Sequence, residues 1–409
     1  MKKLLINSKT LFSISLGILL FAFVLFYFSD GLSKISYRSG SGFYRFGLII
    51  KGLFEIVILL YAIITFNRAK ASILSAIGIL TGVFLIGQFF LGLNFEGINF
   101  PENFNTLFKY LFTFIFFLLV IDILSSKKSK KILLFVYKWI IGINSFFIVL
   151  GFLTNNKFLT TYTSIYRFGY DGLIFAQNEA SFIFIFALTT VYYRRFYLGI
   201  KEYFFWIVLL PSLLVATKAV YLYLILLLLF HIFQKVALKN ILMYAGVLML
   251  SGYLVFSRLI NEIIENSWAV FMYMYNRGGL WNALLSGRNA FIDEKLVPLI
   301  TEIWTFPNFL FGGQDVTAHY IEMGFIDLFL FFGLIGSLLY LFVYYKIFNL
   351  ISFAIRFKIF FGLSLMIIIA TAGHFFESGI VGIHFIFLLL ISRMKPQTIV
   401  STEVSQNAK

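Results

Sequence analysis

Residues 286–336 read SGRNAFIDEKLVPLITEIWTFPNFLFGGQDVTAHYIEMGFIDLFLFFGLIG. The stretch opens on Arg288, runs through the paired glycines Gly312 and Gly313, and sets His319, Glu322 and Asp327 where an unbroken apolar run begins. That passage decides the fold, because about 20 consecutive apolar residues are what a helix needs to cross a bilayer. Upstream, residues 258–322 form the one long polar-containing interval in an otherwise continuous ladder of apolar segments. A loop of that length with its own charges and aromatics is more often functional than a connector. If the protein does chemistry, it does it there.

Working outward, the whole chain has the composition of a polytopic membrane protein. Of its 409 residues 61% are hydrophobic, 20% are aromatic and only 12% are charged. The formal charge is +15, yet the lysines and arginines sit between apolar segments and form no basic face interleaved with aromatics, so nucleic acid is not an expected partner. With no cysteine, disulfides, thiol nucleophiles and cysteine metal sites are excluded.

About twelve apolar stretches fall near 10–28, 46–66, 72–92, 107–124, 131–152, 173–193, 203–217, 218–234, 240–257, 323–345, 359–376 and 378–392. The expected fold class is therefore an all-α integral membrane protein of about 12 transmembrane helices, a single polytopic domain over 1–409. The first stretch, Leu11 to Phe28, reads as a retained signal anchor, being too long for a signal-peptide core and lacking a small-residue cleavage site. Basic residues concentrate in alternate loops, which by the positive-inside rule predicts both termini in the cytoplasm and the 258–322 loop outside. Within that loop Ile260, Ile263, Ile264, Trp268, Phe271, Met272 and Tyr275 recur at helical spacing, as do Ile292, Leu296, Leu299, Ile300, Ile303 and Trp304, with Pro298 expected to kink the second set. Both predict amphipathic helices lying on the membrane face.

The polar residues sort into cations and candidate bases. Arg288, after Ser286-Gly287, stands at a predicted helix start, where free N–H groups and the dipole favour anions and a guanidinium fork suits phosphate. A surface arginine paired with Asp293 or Glu294 is the plainer alternative. Lys218, between two apolar runs, is expected to border a cavity or snorkel to the surface. Arg167 lies just outside the sixth span, and Asn178 and Glu179 about one turn inside it. Three cations near one depth suit a diphosphate, or equally an acidic lipid headgroup.

His319 and Glu322, three residues apart, would share a helix face and supply a base. Asp327 is expected to partner one of the cations. Lys51 and Glu55, one turn apart, read as an ion pair within a helix. The four histidines make no metal-ligand spacing, so no metal and no cofactor are called for. Gly312-Gly313 lacks the downstream Lys-Ser/Thr of a nucleotide-phosphate loop.

Three fragments together carry a resemblance. They are RFGYDGLIFAQNEASFIFIFAL at 167–188, ATKAVYL at 216–222, and SGRNAF followed by FGGQD and HYIEMGFIDLFLFFGLIG. In this order they resemble the bacterial O-antigen polymerase and ligase superfamily, the Wzy-type membrane glycosyltransferases. The resemblance spans essentially the whole chain through short motifs.

It implies a GT-C-like polymerase/ligase fold with one long periplasmic loop, in the bacterial inner membrane. It implies metal-independent, inverting polymerisation of undecaprenyl-diphosphate-linked oligosaccharide repeats, which serve as donor and acceptor, with a chain-length regulator as a further partner. Arg288, Arg167 and Lys218 would then stabilise the leaving diphosphate, and Glu322 or His319 would take the acceptor proton. Asp327 and Asn178 would support them. Ligases place a His-Asn pair about eleven residues before the first glycine of the Gly-Leu-Ile-Gly element. Here that position is Glu322, and His319 comes three residues earlier.

Overall fold

Inside a bilayer a chain has no water to satisfy its backbone, so each long apolar run must bond to itself as a helix. The computed structural model describes residues 8–40, 42, 43, 45–125, 131–162, 168–235, 261, 265 and 268–394. Helices α1 (Ser8–Arg38), α2 (Phe46–Ile64), α3 (Arg68–Gly92), α4 (Phe100–Ser125) and α5 (Lys131–Thr154) come first. They are followed by α6 (Gln177–Tyr192), α7 (Phe204–Val215), α8 (Lys218–Lys235) and α9 (268–285). The C-terminal part holds α10 (Arg288–Phe291), α11 (Phe306–Phe311), α12 (Gly324–Asn349), α13 (Ile355–Thr371) and α14 (Gly379–Ser392).

Eleven of the twelve expected apolar stretches carry a helix, and the ninth, 240–257, lies outside the described residues. Among the described residues six helices, α1–α5 and α12, are long and apolar enough to cross a membrane. The others in the bundle are shorter; α7, for example, has 12 residues with Pro211 inside it. The architecture is that of an all-helical, multi-pass membrane protein.

Three helices form its axis. Ala180 to Tyr192 of α6 and Gly379 to Ile391 of α14 are buried without a break, and α4 is mostly buried beside them. Lipid tails give apolar helices no hydrophobic reason to associate, so side-chain packing must hold them. Aromatic rings supply it: centroids lie 4.1 Å apart in Phe23–Phe387, 4.2 Å in Phe230–Phe360 and 4.8 Å in Tyr110–Phe331. Outside this axis α2 turns Leu53, Ile56, Leu60 and Ile63 outward, a face suited to lipid.

Polar contacts gather at the two ends of the bundle. At one end Asp122 takes Lys70 at 2.7 Å and the Tyr61 hydroxyl at 2.9 Å, while Glu202 takes Lys138 at 2.5 Å and Arg194 at 2.9 Å. At the other, Lys34 pairs with Asp171, Lys51 with Asp30 at 2.9 Å, and Arg38 bonds the Thr160 hydroxyl at 2.9 Å. The first helix runs on past its apolar stretch, and its polar last third bonds to neighbouring segments. One expectation is corrected here: Lys51 pairs across to Asp30 of α1 and not with Glu55.

In the loop before α12 the second expected helical segment forms over 288–303, with Asp293, Glu294, Thr301 and Glu302 exposed and Leu299 buried. Ile292–Leu296 and Leu299–Ile303 wind as π-turns on either side of Pro298, whose missing N–H an α-helix would have needed. Leu299 and Trp304 then bury against Leu91, Ile321 and Leu330 in a small core of their own.

The chain next enters the bundle. Helix α11, opened by the Thr305/Asn308 capping box, packs between α3 and α12. At Gly333 α12 breaks its helical path (φ 63°, ψ −170°), and the carbonyl of Leu330 is taken by the Gly313 N–H at 3.0 Å. Gly333 lies nine residues into α12, about 14 Å along its axis, so the glycine pair reaches well inside. The Trp304 indole N–H and the Asn308 amide complete the plug, bonding the Gly313 and Gly312 carbonyls at 2.9 Å each. Gly312-Gly313 is thus an architectural turn that repairs a broken helix.

Candidate functional site

From this plug residues 314–323 climb back, held at every step. The Gln314 carbonyl accepts from Gln88 at 3.0 Å, and the Val316 N–H donates to Asn103 at 2.9 Å. Asp315 accepts the N–H groups of Asn99 at 2.6 Å and Thr317 at 2.9 Å. Burial alone would raise its carboxyl, but these bonds and the Thr317 hydroxyl hold it below the ordinary range. Asp327 accepts from Ile321 at 2.9 Å and Met323 at 2.8 Å. It is therefore a clasp for the loop and, contrary to expectation, partners no cation among the described residues.

This clasp decides what His319 and Glu322 can do. Residues 319–323 are not helical, so the two share no helix face. The His319 ring is buried edge-on against Phe95 at 5.0 Å, its Nδ1 without a partner, and burial pushes its pKa down. Glu322 adopts the left-handed φ of +63°, and 38% of its side chain is exposed. Its carboxylate accepts from the Arg288 guanidinium at 3.1 Å.

Arg288 follows Gly287 (φ +88°) and its side chain is 12% exposed, so it is neither a free surface arginine nor paired with Asp293 or Glu294. Its Nε is buried with no partner. Lys218 reaches the same turn from the other side. The chain leaves α7 through Ala216 (φ +55°), α8 starts at Lys218, and its ammonium bonds the Ala283 carbonyl at 2.5 Å and the Ser286 hydroxyl at 2.8 Å. Two of the three expected cations therefore meet at residues 283–288, and Glu322 joins them. Arg167 lies outside the described residues. Asn178 and Glu179 sit in the first turn of α6 rather than a turn inside it, and Glu179 accepts from Ser378 at 2.5 Å.

Beside this group lies a cavity of about 930 Å³ between α1, α2 and α4, closed by the start of α6, the 316–320 loop and the turn before α14. Sequence reasoning missed most of its polar lining. Asp30, Lys51, Glu55, Lys109, Glu179, Tyr320, His374 and Glu377 all face it. His374 had been counted within an apolar run, but α13 ends at Thr371 and residues 372–378 form a turn.

There His374 Nδ1 lies 3.2 Å from Glu377, and the Tyr320 hydroxyl donates to the same carboxylate oxygen. Burial would depress His374, but the Glu377 hydrogen bond and charge raise it. The same contact holds Glu377 below the usual range against its own burial. A histidine three residues before a glutamate, at the junction of two apolar runs, was the available signal.

The fold and this polar group define a multi-pass membrane protein with a charged cavity at one end of its bundle. Comparison with protein-family models, with curated proteins and with solved structures finds no match to the chain.

Proposed function

We propose that the chain is a glycosyltransferase that polymerises undecaprenyl-diphosphate-linked oligosaccharide repeats on the outer face of the bacterial inner membrane. The observation that carries the proposal is the Arg288–Glu322 pair at 3.1 Å, with Lys218 held on the same turn and Glu322 two residues after Tyr320, which lines a cavity of about 930 Å³. A guanidinium with one exposed carboxylate as counter-ion is ready for exchange. An incoming diphosphate offers more charge and a bidentate match, so it displaces Glu322 and engages Arg288, with Lys218 adding a point charge.

Charge that develops on the leaving diphosphate is then met by groups already in place. The cavity accommodates the sugars, with hydroxyls, amides and carboxylates set among Phe108, Phe112 and Phe175. The apolar outer face of α2 borders it and suits a prenyl chain. The resemblance to the O-antigen polymerase and ligase superfamily supports the same reading, with a chain-length regulator as a protein partner.

The test is binding of undecaprenyl diphosphate to the purified protein. Arg288→Ala should weaken it by at least tenfold, and Glu322→Gln should tighten it, because the competing carboxylate charge is gone. Weaker binding in Glu322→Gln would overturn the exchange. Deletion in the source strain, read by gel analysis of its surface glycan, then separates the activities. Loss of the polymer ladder with one repeat retained marks a polymerase. Loss of every repeat marks a ligase or a carrier of lipid-linked oligosaccharide. One observation favours the carrier: Glu55 is buried nine residues into α2 and faces the cavity, about 14 Å along the helix, as a titrating group near the midplane would be.

A further inference from the structure

Glycosyl transfer needs a group to receive the acceptor's proton, and neither of the sequence candidates is well placed for it. Neither Glu322 nor His319 is among the residues that line the cavity, and His319 is packed against Phe95. The turn between α13 and α14 holds a better arrangement. We propose that His374 is the proton acceptor, with Glu377 and Tyr320 as its positioning residues; this rests on the glycosyl-transfer reading above.

The geometry is that of an imidazole oriented by a carboxylate. Nδ1 faces Glu377 at 3.2 Å and the Tyr320 hydroxyl at 3.4 Å. With Nδ1 so engaged, it carries the proton towards Glu377, and Nε2 is the basic nitrogen of a residue that lines the cavity. Nε2 has no hydrogen-bond partner among the described residues.

His374 is held at φ +70°, a conformation costly for a non-glycine residue that persists only when its surroundings enforce it. The turn also packs on the backbone of Glu322: a Cβ on Gly373 would lie 3.1 Å from it, and the Glu322 charge acts on His374. Each contact comes from a different element: Glu377 from the turn itself, Tyr320 from the loop before α12, and Ser378–Glu179 binding the turn to α6.

In the step, the acceptor hydroxyl gives its proton to His374 Nε2 as its oxygen bonds to the anomeric carbon of the donor sugar. The bond from that carbon to the diphosphate oxygen breaks, and its electron pair leaves with the diphosphate at Arg288 and Lys218. The charged groups around His374 are Glu377, Glu179 and Glu322, while Lys109 of α4 acts on Glu377. Its three anionic neighbours raise its pKa, so activity should fall on the acid side as the ring is protonated.

The experiment uses the full chain purified in nanodiscs, with lipid-linked repeats extracted from the deletion strain. His374→Gln should lower kcat by about 10²–10⁴-fold and abolish the acid limb of the pH profile. Glu377→Gln should lower kcat and move that limb to lower pH, with Glu377→Asp restoring part of both. Undecaprenyl diphosphate binding, which depends on Arg288, should be unchanged in all three. Turnover within twofold of wild type in His374→Gln, with the acid limb in place, would overturn the assignment and leave the transferase reading standing. Loss of undecaprenyl diphosphate binding in His374→Gln, Glu377→Gln and Tyr320→Phe alike would make the cluster architectural and overturn it too. No polymer from the wild-type chain would remove the transferase reading, and the assignment with it.

Discussion

Gly312 and Gly333, twenty-one residues apart in sequence, touch backbone to backbone: a Cβ on Gly333 would lie 2.3 Å from the Gly312 nitrogen. The contact seats the 286–323 loop inside the bundle, and both residues adopt positive φ, +78° and +63°. Arg288 and Glu322 belong to the loop that this contact fixes.

Gly333→Ala should therefore be far more damaging than a methyl group suggests. Its Cβ meets backbone atoms that cannot swing aside, at a conformation alanine disfavours. We expect poor yield of monodisperse protein and a Tm lowered by several degrees. Gly52→Ala, where a Cβ meets nothing within 4 Å, is the matched control and should behave as wild type.

Arg288→Lys should recover little of the activity lost in Arg288→Ala, because a point charge cannot replace a planar fork that faces both Glu322 and an incoming diphosphate. Lys218→Arg should be tolerated better. Lys218 meets a carbonyl and a hydroxyl, both of which a guanidinium can also bond. Polymerisation by the purified variants ranks them, and equal activity of Arg288→Lys and wild type would contradict the fork argument.

The His374–Glu377 pair should leave a mark on stability as well as on activity. His374 is raised in the folded protein, so its contribution is complete below the ordinary histidine pKa, about 6.5, and is lost as pH rises through the folded value. Glu377 is lowered, so its contribution is complete above the ordinary glutamate value, about 4.3, and is lost as pH falls through the folded one. The Tm difference between wild type and the Glu377→Gln variant should thus be greatest between these two pH values and shrink on either side. A difference that is flat with pH would exclude an ionised pair.

Reporter fusions at Lys130 and Lys409 test the orientation. The basic loops predict both in the cytoplasm. An active periplasmic phosphatase at Lys409 would reverse the whole arrangement and move the cavity to the cytoplasmic face.

How much of this could be read from the sequence depends on the range of the forces involved. Apolar runs of roughly 20 residues dictate helices by a local rule, since a backbone in lipid must bond to its own segment. The ladder of stretches, and the transition near residue 323, therefore needed no tertiary information. Arg288, Lys218 and Glu322 were visible as polar residues in costly surroundings.

Their partners were not visible. Lys51 chose Asp30 over Glu55, and Asp327 chose two backbone N–H groups over a cation. His374, Glu377 and Tyr320 come together from segments 54 to 57 residues apart. Which polar group meets which is settled by packing between helices, and a linear pattern carries no record of those distances. The sequence alone determined that the chain folds as membrane helices with one chemically dense loop. Only the tertiary structure, by burying α11 and the glycine pair between α3 and α12, decided which of that loop's residues meet, Arg288 with Glu322, and which line the cavity, Tyr320 among them.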